Sequence, residues 1–302
     1  MQKRSPSSAK APARVLVVYK KSAYRIYVRE RRHRRVASLL RVGDAAVAGM
    51  ARAHRDHEHT VAEARRVLRR LGASAVFRPR SGRGSTSAFD LIVTLGGDGT
   101  LLWASHAIAA GCPVVAINSA PFDSVGYFCA ATRDQLGDTL SDAIAGRLRE
   151  TRLTRMQVEI DSAVVSSRVL NDALFSHVSP AATTRYAIGV RDQRETQRSS
   201  GVWIATAAGS SAAIRSAGGR LQPIGSPRLQ FKVREPYAFA PVPPALRHGF
   251  IEAGERLELQ SHIRDGRLYL DGPHSVRVVD IGSTIRFSRS AETLSLLGFK
   301  RR

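Results

Sequence analysis

The residues best suited to chemistry lie in one short run, Leu95-Gly-Gly-Asp-Gly-Thr-Leu-Leu102. Its glycines let the main chain turn tightly and bring N–H groups close to an anion. A helix that starts there adds the partial positive charge of its N-terminus. The informative residue is Asp98. A carboxylate set among phosphates is repulsive unless it takes a proton or holds a metal, and that is what phosphoryl transfer to a hydroxyl requires. Asp98 is the candidate catalytic carboxylate, and Gly96, Gly97, Gly99 and Thr100 are the candidate phosphate cradle. Spacing excludes two other glycine-rich devices. There is no G-x-x-x-x-G-K-[ST] and no G-x-G-x-x-G after a strand. The plain alternative is an ordinary strand-to-helix turn.

Other reactive side chains make weaker groupings. His54, His57, Glu58 and His59 are close in sequence, but only His54 and Glu58 share the i, i+4 spacing that puts ligands on one helix face, so no metal site is assigned. Ser210 and Ser211 lack the G-x-S-x-G context of a hydrolase nucleophile. Asp271-Gly272 reads as a turn with a structural role.

The elements around the glycine run have a consistent order. Arg14–Tyr19, Ser74–Phe77, Phe89–Leu95 and Pro113–Ile117 are short, mostly apolar, partly β-branched runs that read as strands, the first, third and fourth as buried ones. Between them, residues 24–40, 57–71 and 101–110 read as helices, and 135–148 supplies another. Val61, Ala64, Val67, Leu68 and Leu71 share one helix face, and Gly72 ends it. Strands alternating with helices predict a parallel, doubly wound sheet. Beyond residue 150, short alternating runs separated by turn residues predict an antiparallel β domain. Residues 207–219 read as a tight loop feeding a short helix. The expected organisation is a tail over 1–12, an α/β phosphate-binding domain over 13–148 with 290–302 packing back on it, and a β-rich domain over 149–289.

Composition narrows the partners. The chain has 302 residues and 43% hydrophobic content, enough for a sizeable core. Lys plus Arg number 47 against 25 Asp plus Glu, a formal charge of +22. That excess favours anionic partners: nucleic acid, a membrane surface or phosphorylated small molecules. The run Arg25, Arg29, Arg31, Arg32, Arg34, Arg35 is either an anion-binding helix or, more simply, a solvated helix face. Two cysteines cannot frame a disulfide scaffold, and no long apolar span or signal segment is visible. A reduced, cytoplasmic protein is expected.

The glycine run resembles the signature of NAD kinases, shared with the wider diacylglycerol-, sphingosine- and phosphofructokinase-like group. Three further segments are similar to NAD kinases in particular: Val125-Gly-Tyr-Phe128, Asn171-Asp172, and the second glycine-rich segment over Gly201–Gly219. The resemblance spans roughly residues 14–290. It is closer still to the plant-type NADH kinase branch through Gly126-Tyr-Phe-Cys-Ala-Ala-Thr132, Leu170-Asn-Asp172, Ser199-Ser-Gly201, Ala205-Thr-Ala-Ala-Gly209 and Val233-Arg-Glu-Pro236. It implies an N-terminal Rossmann-like α/β domain, a C-terminal antiparallel β domain and a ligand cleft between them. It also implies transfer of the γ-phosphate of ATP to the adenosine-ribose 2′-hydroxyl of NAD⁺ or NADH, with Mg²⁺ or another divalent cation, in a homo-oligomer, dimer or tetramer.

Site residues follow from the same resemblance, position by position. Asp98 would accept the hydroxyl proton, orient that hydroxyl or help place the metal. Asn171 and Asp172 would recognise ribose and amide. Most family members have Glu at position 172, and the Asp here is shorter by about 1.5 Å of reach. Ser211, Ala212 and Ser216 would line the adenine pocket. The family often has Tyr where this chain has Ala213, so Tyr127 or Phe128 would supply the aromatic surface. Ser200 stands where the family often has Asp near the nicotinamide. Loss of that charge favours NADH, because only the oxidised ring is cationic. Two alternatives stay open: a lipid or sphingoid-base kinase sharing the first glycine motif, and a nucleic-acid-binding protein using Arg25–Arg35, the latter disfavoured. Neither a membrane nor nucleic acid is the expected partner.

Overall fold

The computed structural model of the protein describes residues 11–80, 85–237 and 244–300. The expected tail therefore falls largely outside the described residues, as do Gly82 and Gly84, in the Gly-, Ser- and Arg-rich stretch over 78–87 that the sequence marks as a loop. The chain divides into two compact units. The first contains residues up to Leu101, Cys112–Glu150 and Leu297–Arg302; the second contains Leu102–Gly111 and Thr151–Leu296.

The first unit is built on a parallel sheet. Strand Arg14–Tyr19 lies between Ser74–Pro79 and Leu91–Gly96, and the latter pairs in turn with Pro113–Asn118. The two-residue strand Ala131–Thr132 closes that side. All six residues of Leu91–Gly96 are buried, as a parallel strand covered on both faces requires. Helix Met50–Arg70 presents Ala64, Val67 and Leu68 to a core shared with Val15, Val17, Val93, Leu95, Val115 and Ile117. Helix Leu136–Ile144 adds Leu136, Leu140 and Ala143.

The second unit is antiparallel. One sheet has the order His248–Ile251, Leu229–Arg234, Gly201–Ala205, Asp172–His177, Gly266–Leu270, Val276–Val279. A second set runs Gln193–Ser199, Thr184–Val190, Arg256–Ser261, Thr284–Leu297. Phe175, Ile204, Phe231 and Leu268 of the first meet Tyr186, Ile188, Leu259 and Phe287 of the second in one apolar core. Gln193–Ser199 ends its sheet and pairs on one side only.

Several elements differ from the sequence reading. The helix expected over 24–40 is two pieces, a wide turn Arg25–Glu30 and helix Arg34–Arg41. Arg32 takes a positive φ of 48° between them, and the His33 side chain caps the second piece by accepting from the Val36 N–H. The helix expected from Leu101 starts inside the glycine run and spans Asp98–Ser105. The helix expected from His57 begins at Met50. Strand Thr284–Leu297 has 14 residues, of which only the first four read as a strand.

Candidate active site

In the first unit the glycine run joins a buried strand to a helix. Gly96 ends the strand and Asp98 opens the helix, where a carboxylate is favoured by the helix dipole. Both oxygens of Asp98 are engaged. Oδ2 accepts the Tyr127 N–H at 2.8 Å and Oδ1 accepts the Phe128 N–H at 2.9 Å. The loop over 118–128 is thereby fastened to the motif. The Asn118 side chain fixes the same loop by donating from Nδ2 to the Ser124 carbonyl at 2.8 Å. Each Asp98 oxygen keeps one acceptor position for a hydroxyl or a cation.

The glycines of the run are not equivalent. A Cβ at Gly97 would lie 2.0 Å from Ser124 Oγ, and one at Gly96 would lie 2.1 Å from Thr100 Oγ1. Those two positions are glycine because neighbouring side chains already fill the space. Gly99 has nothing within 4 Å and is exposed. It is the open face of the turn, where main chain meets solvent beside the half-buried Asp98. Thr100 is buried. Of the aromatic pair, Phe128 is buried in the first unit, while Tyr127 is half-buried, with its ring edge-on to Phe128 and Phe299.

The second unit gathers a different group. Asn171 precedes strand Asp172–His177, and the main chain there is held from both sides. The N–H groups of Leu170, Asn171 and Asp172 donate to the Asp271 carboxylate at 2.9, 2.6 and 3.2 Å. The carbonyls face Thr206: its Oγ1 donates to the Leu170 oxygen at 2.5 Å and its N–H to the Asn171 oxygen at 3.0 Å. Gly209 packs against the same spot, where a Cβ would sit 2.0 Å from the Asn171 carbonyl oxygen. The second glycine-rich segment is thus built onto the Asn171 turn. Its two short helical turns, Ala208–Ser211 and Ala213–Ser216, leave Ser211 and Ser216 exposed and Ala212 half-buried.

Side-chain chemistry is set by this packing. Asn171 Oδ1 is buried and has no hydrogen-bond partner among the described residues. The Asp172 carboxyl is pushed up to about 7, first by burial and then by the neighbouring Asp271 charge. His106 Nε2 lies 2.8 Å from Asp271 Oδ2, close enough for an ion pair although the ring N–H is not aligned for a hydrogen bond. Asp271, Thr206 and His106 carry this construction, and none was a candidate site residue in the sequence. Asp271-Gly272 was visible only as a turn. Ser200 lies apart from this cluster. It is half-buried and lines a cavity of about 250 Å³ with His177, Ser179, Arg234 and Tyr269, and no carboxylate lines that cavity.

In the first unit, His57 is buried and accompanied by Lys20. Its ring is held well below the ordinary histidine range, at about 4, by burial and then by the Lys20 charge. Nδ1 lies 2.9 Å from Ser119 Oγ. No group of three or more His, Cys, Asp or Glu with metal-ligand geometry occurs among the described residues.

Comparison with known proteins agrees along the chain. A family model described as the ATP-NAD kinase N-terminal domain matches residues 29–148. A probable NADH kinase of Oryza sativa subsp. japonica is 32% identical over 265 residues, covering 80% of this chain and 82% of the relative. The NADH kinase of Arabidopsis thaliana is 34% identical over 229 residues, covering 68% and 72%. Among solved structures, an NAD kinase from Archaeoglobus fulgidus in complex with ATP superposes with a TM-score of 0.64 at 19% identity, covering 95% of this chain and 93% of that one. A yeast NADH kinase complexed with NADH gives 0.66 at 15% identity, covering 97% and 85%.

Proposed function

The chain belongs to the NAD kinase family, and from that premise we propose that it transfers the γ-phosphoryl group of ATP to the adenosine-ribose 2′-hydroxyl of NAD⁺ or NADH, with NADH the better acceptor. The observation that carries the reading is Asp98, a half-buried carboxylate at the first residue of a helix, gripped by two successive main-chain N–H groups beside an exposed glycine. The relatives give no support to a lipid acceptor or to nucleic-acid binding.

The residues divide the work. The helix N-terminus and the open main chain at Gly99 attract the triphosphate. Asp98 accepts a hydrogen bond from the 2′-hydroxyl and aims its oxygen at phosphorus. As the oxygen–phosphorus bond forms, the bond to the β-phosphate oxygen breaks, ADP leaves, and the hydroxyl proton passes to Asp98. Asn171, through its unpartnered Oδ1, and Asp172 bind the dinucleotide; above pH 7 an ionised Asp172 accepts from hydroxyl or amide donors. Ser211, Ala212 and Ser216 border the adenine. With one described carboxylate at the motif, the donor set suits a magnesium ion that arrives on ATP rather than one caged by protein. Such an ion, when bound, neutralises phosphate charge. The enzyme acts as a cytoplasmic homo-oligomer; no described helix is long and apolar enough to cross a membrane.

The preference for NADH rests on Ser200. No carboxylate lines its cavity, so nothing there favours a cationic ring over a neutral one. Steady-state kcat/KM with each redox form tests this. A ratio of NADH to NAD⁺ above one is expected, and Ser200→Asp should lower that ratio by about fivefold, the equivalent of about 1 kcal/mol. A wild-type ratio well below one refutes the preference and leaves the kinase reading intact.

A further inference from the structure

We infer that Asp271 is a positioning residue for dinucleotide recognition: its buried carboxylate, with His106 beside it, holds the main chain of the Asn171–Asp172 pair in the orientation those side chains need. This rests on the reading above, in which the pair contacts the dinucleotide.

The geometry is unusual for a hairpin turn. An Asp-Gly pair ordinarily closes its own turn through local hydrogen bonds. Here Asp271 follows strand Gly266–Leu270, yet its side chain reaches the entry to a neighbouring strand about a hundred residues earlier in the chain, where it accepts from three consecutive N–H groups. An ionised carboxylate offers about four acceptor positions. Three main-chain donors fill three of them, His106 Nε2 lies 2.8 Å away without an aligned N–H, and the Asp271 side chain is only 1% exposed. Sealed from solvent, the carboxylate is out of a ligand's reach. Its effect on a ligand must pass through what it holds.

What it holds has no freedom elsewhere. The carbonyls of Leu170 and Asn171 are taken by Thr206, and Gly209 closes the remaining space. The turn is gripped on its N–H side by Asp271 and on its C=O side by Thr206, while Asn171 Oδ1 is left unpartnered and buried. A satisfied main chain with an unsatisfied side chain is the arrangement expected of a pre-organised recognition element. A second buried carboxylate beside Asp172 also carries an electrostatic cost that a purely structural turn residue would avoid.

Steady-state kinetics of the full chain with NADH and ATP varied separately test the inference. Asp271→Asn keeps the positive φ of 51°, which Asn tolerates as well as Asp, but sets an amide NH₂ against main-chain donors. It should raise the KM for NADH by about tenfold, with kcat and the KM for ATP within about threefold of wild type. His106→Gln, at a partly exposed site, should raise the same constant by about threefold. Asn171→Ala separates the two ideas. If it raises the NADH KM while both other variants stay within about twofold of wild type, the positioning role is overturned and the site reading stands. If Asn171→Ala has no effect either, the reading of the pair is itself wrong. A fall in kcat shared equally by both substrates, with a lower Tm, marks Asp271 as a fold residue only and overturns the inference.

Discussion

Both units build a sharp turn from glycine, and they use it against different obstacles. In the parallel unit, Gly97 makes room for a side-chain hydroxyl, Ser124 Oγ. In the antiparallel unit, Gly209 makes room for a main-chain carbonyl, that of Asn171. A hydroxyl on a loop can rotate away; a carbonyl in a hydrogen-bonded strand entry cannot. The first turn is therefore adjustable and leaves one glycine, Gly99, open to solvent. The second is rigid and serves to define the Asn171–Asp172 pair. Similar composition in two segments thus yields one surface for a charged, mobile group and one fixed frame for a shaped one.

The largest expected effect falls on the adjustable side. Asp98→Asn keeps an acceptor for one of the Tyr127 and Phe128 N–H groups and sets its NH₂ against the other, so Tm should drop by roughly a few degrees while kcat falls by about a thousandfold. Turnover close to wild type would remove Asp98 from the chemistry. Next is the pair of glycines itself. Gly209→Ala should cost about 3 kcal/mol in denaturant unfolding, because main chain must move. Gly97→Ala should cost less and be partly restored by Ser124→Ala; equal costs with no rescue would erase the distinction.

The smallest effect is a contrast in pH response. Asp172 titrates at about 7 in the folded protein against an ordinary 3.8, so the folded state binds more protons than the unfolded state between those values, and stability falls as pH rises through that window. His57 titrates at about 4 against 6.5, so the unfolded state binds more protons there, and stability falls as pH falls through that window. Asp172→Asn should raise Tm by a few degrees, roughly, at pH 8 and leave it unchanged below pH 4. His57→Asn should flatten the acid limb between pH 6.5 and 4 in calorimetric scans. Parallel pH profiles for both variants would contradict the assignment of opposite signs to the two units.

Much of this was legible in the sequence, for physical reasons that also mark the limit. The parallel strands read correctly because burial on both faces demands continuous apolar runs such as Leu91–Leu95. The α/β-plus-β architecture followed from the order of the elements, and the NAD kinase resemblance from the glycine motif together with Val125–Phe128, Asn171-Asp172 and Gly201–Gly219. The start of helix Asp98–Ser105 was misplaced because three glycines suppress helical propensity locally, while tertiary contacts from Tyr127 and Phe128 override it. Strand Gln193–Ser199 was missed because Gln-Arg-Glu-Thr-Gln-Arg-Ser has no apolar alternation. Asp271 was seen only as half of a turn, since nothing local to it signals a partner near residue 171. Likewise, the occupation of Gly97's empty side by Ser124 depends on a loop closure that spacing does not encode.

That overlooked polar strand has a practical consequence. Gln193–Ser199 is the last strand of its sheet, and its outer side is already engaged: the Arg198 carbonyl accepts from the Tyr237 N–H, and the Glu195 carboxylate accepts from the N–H groups of Ala245 and Leu246. Arg194, Glu195 and Arg198 line it with charge of both signs, and Arg194 is already tied back to Glu258 and Gln260 on its own sheet. The border is thus a poor template for ribbon growth.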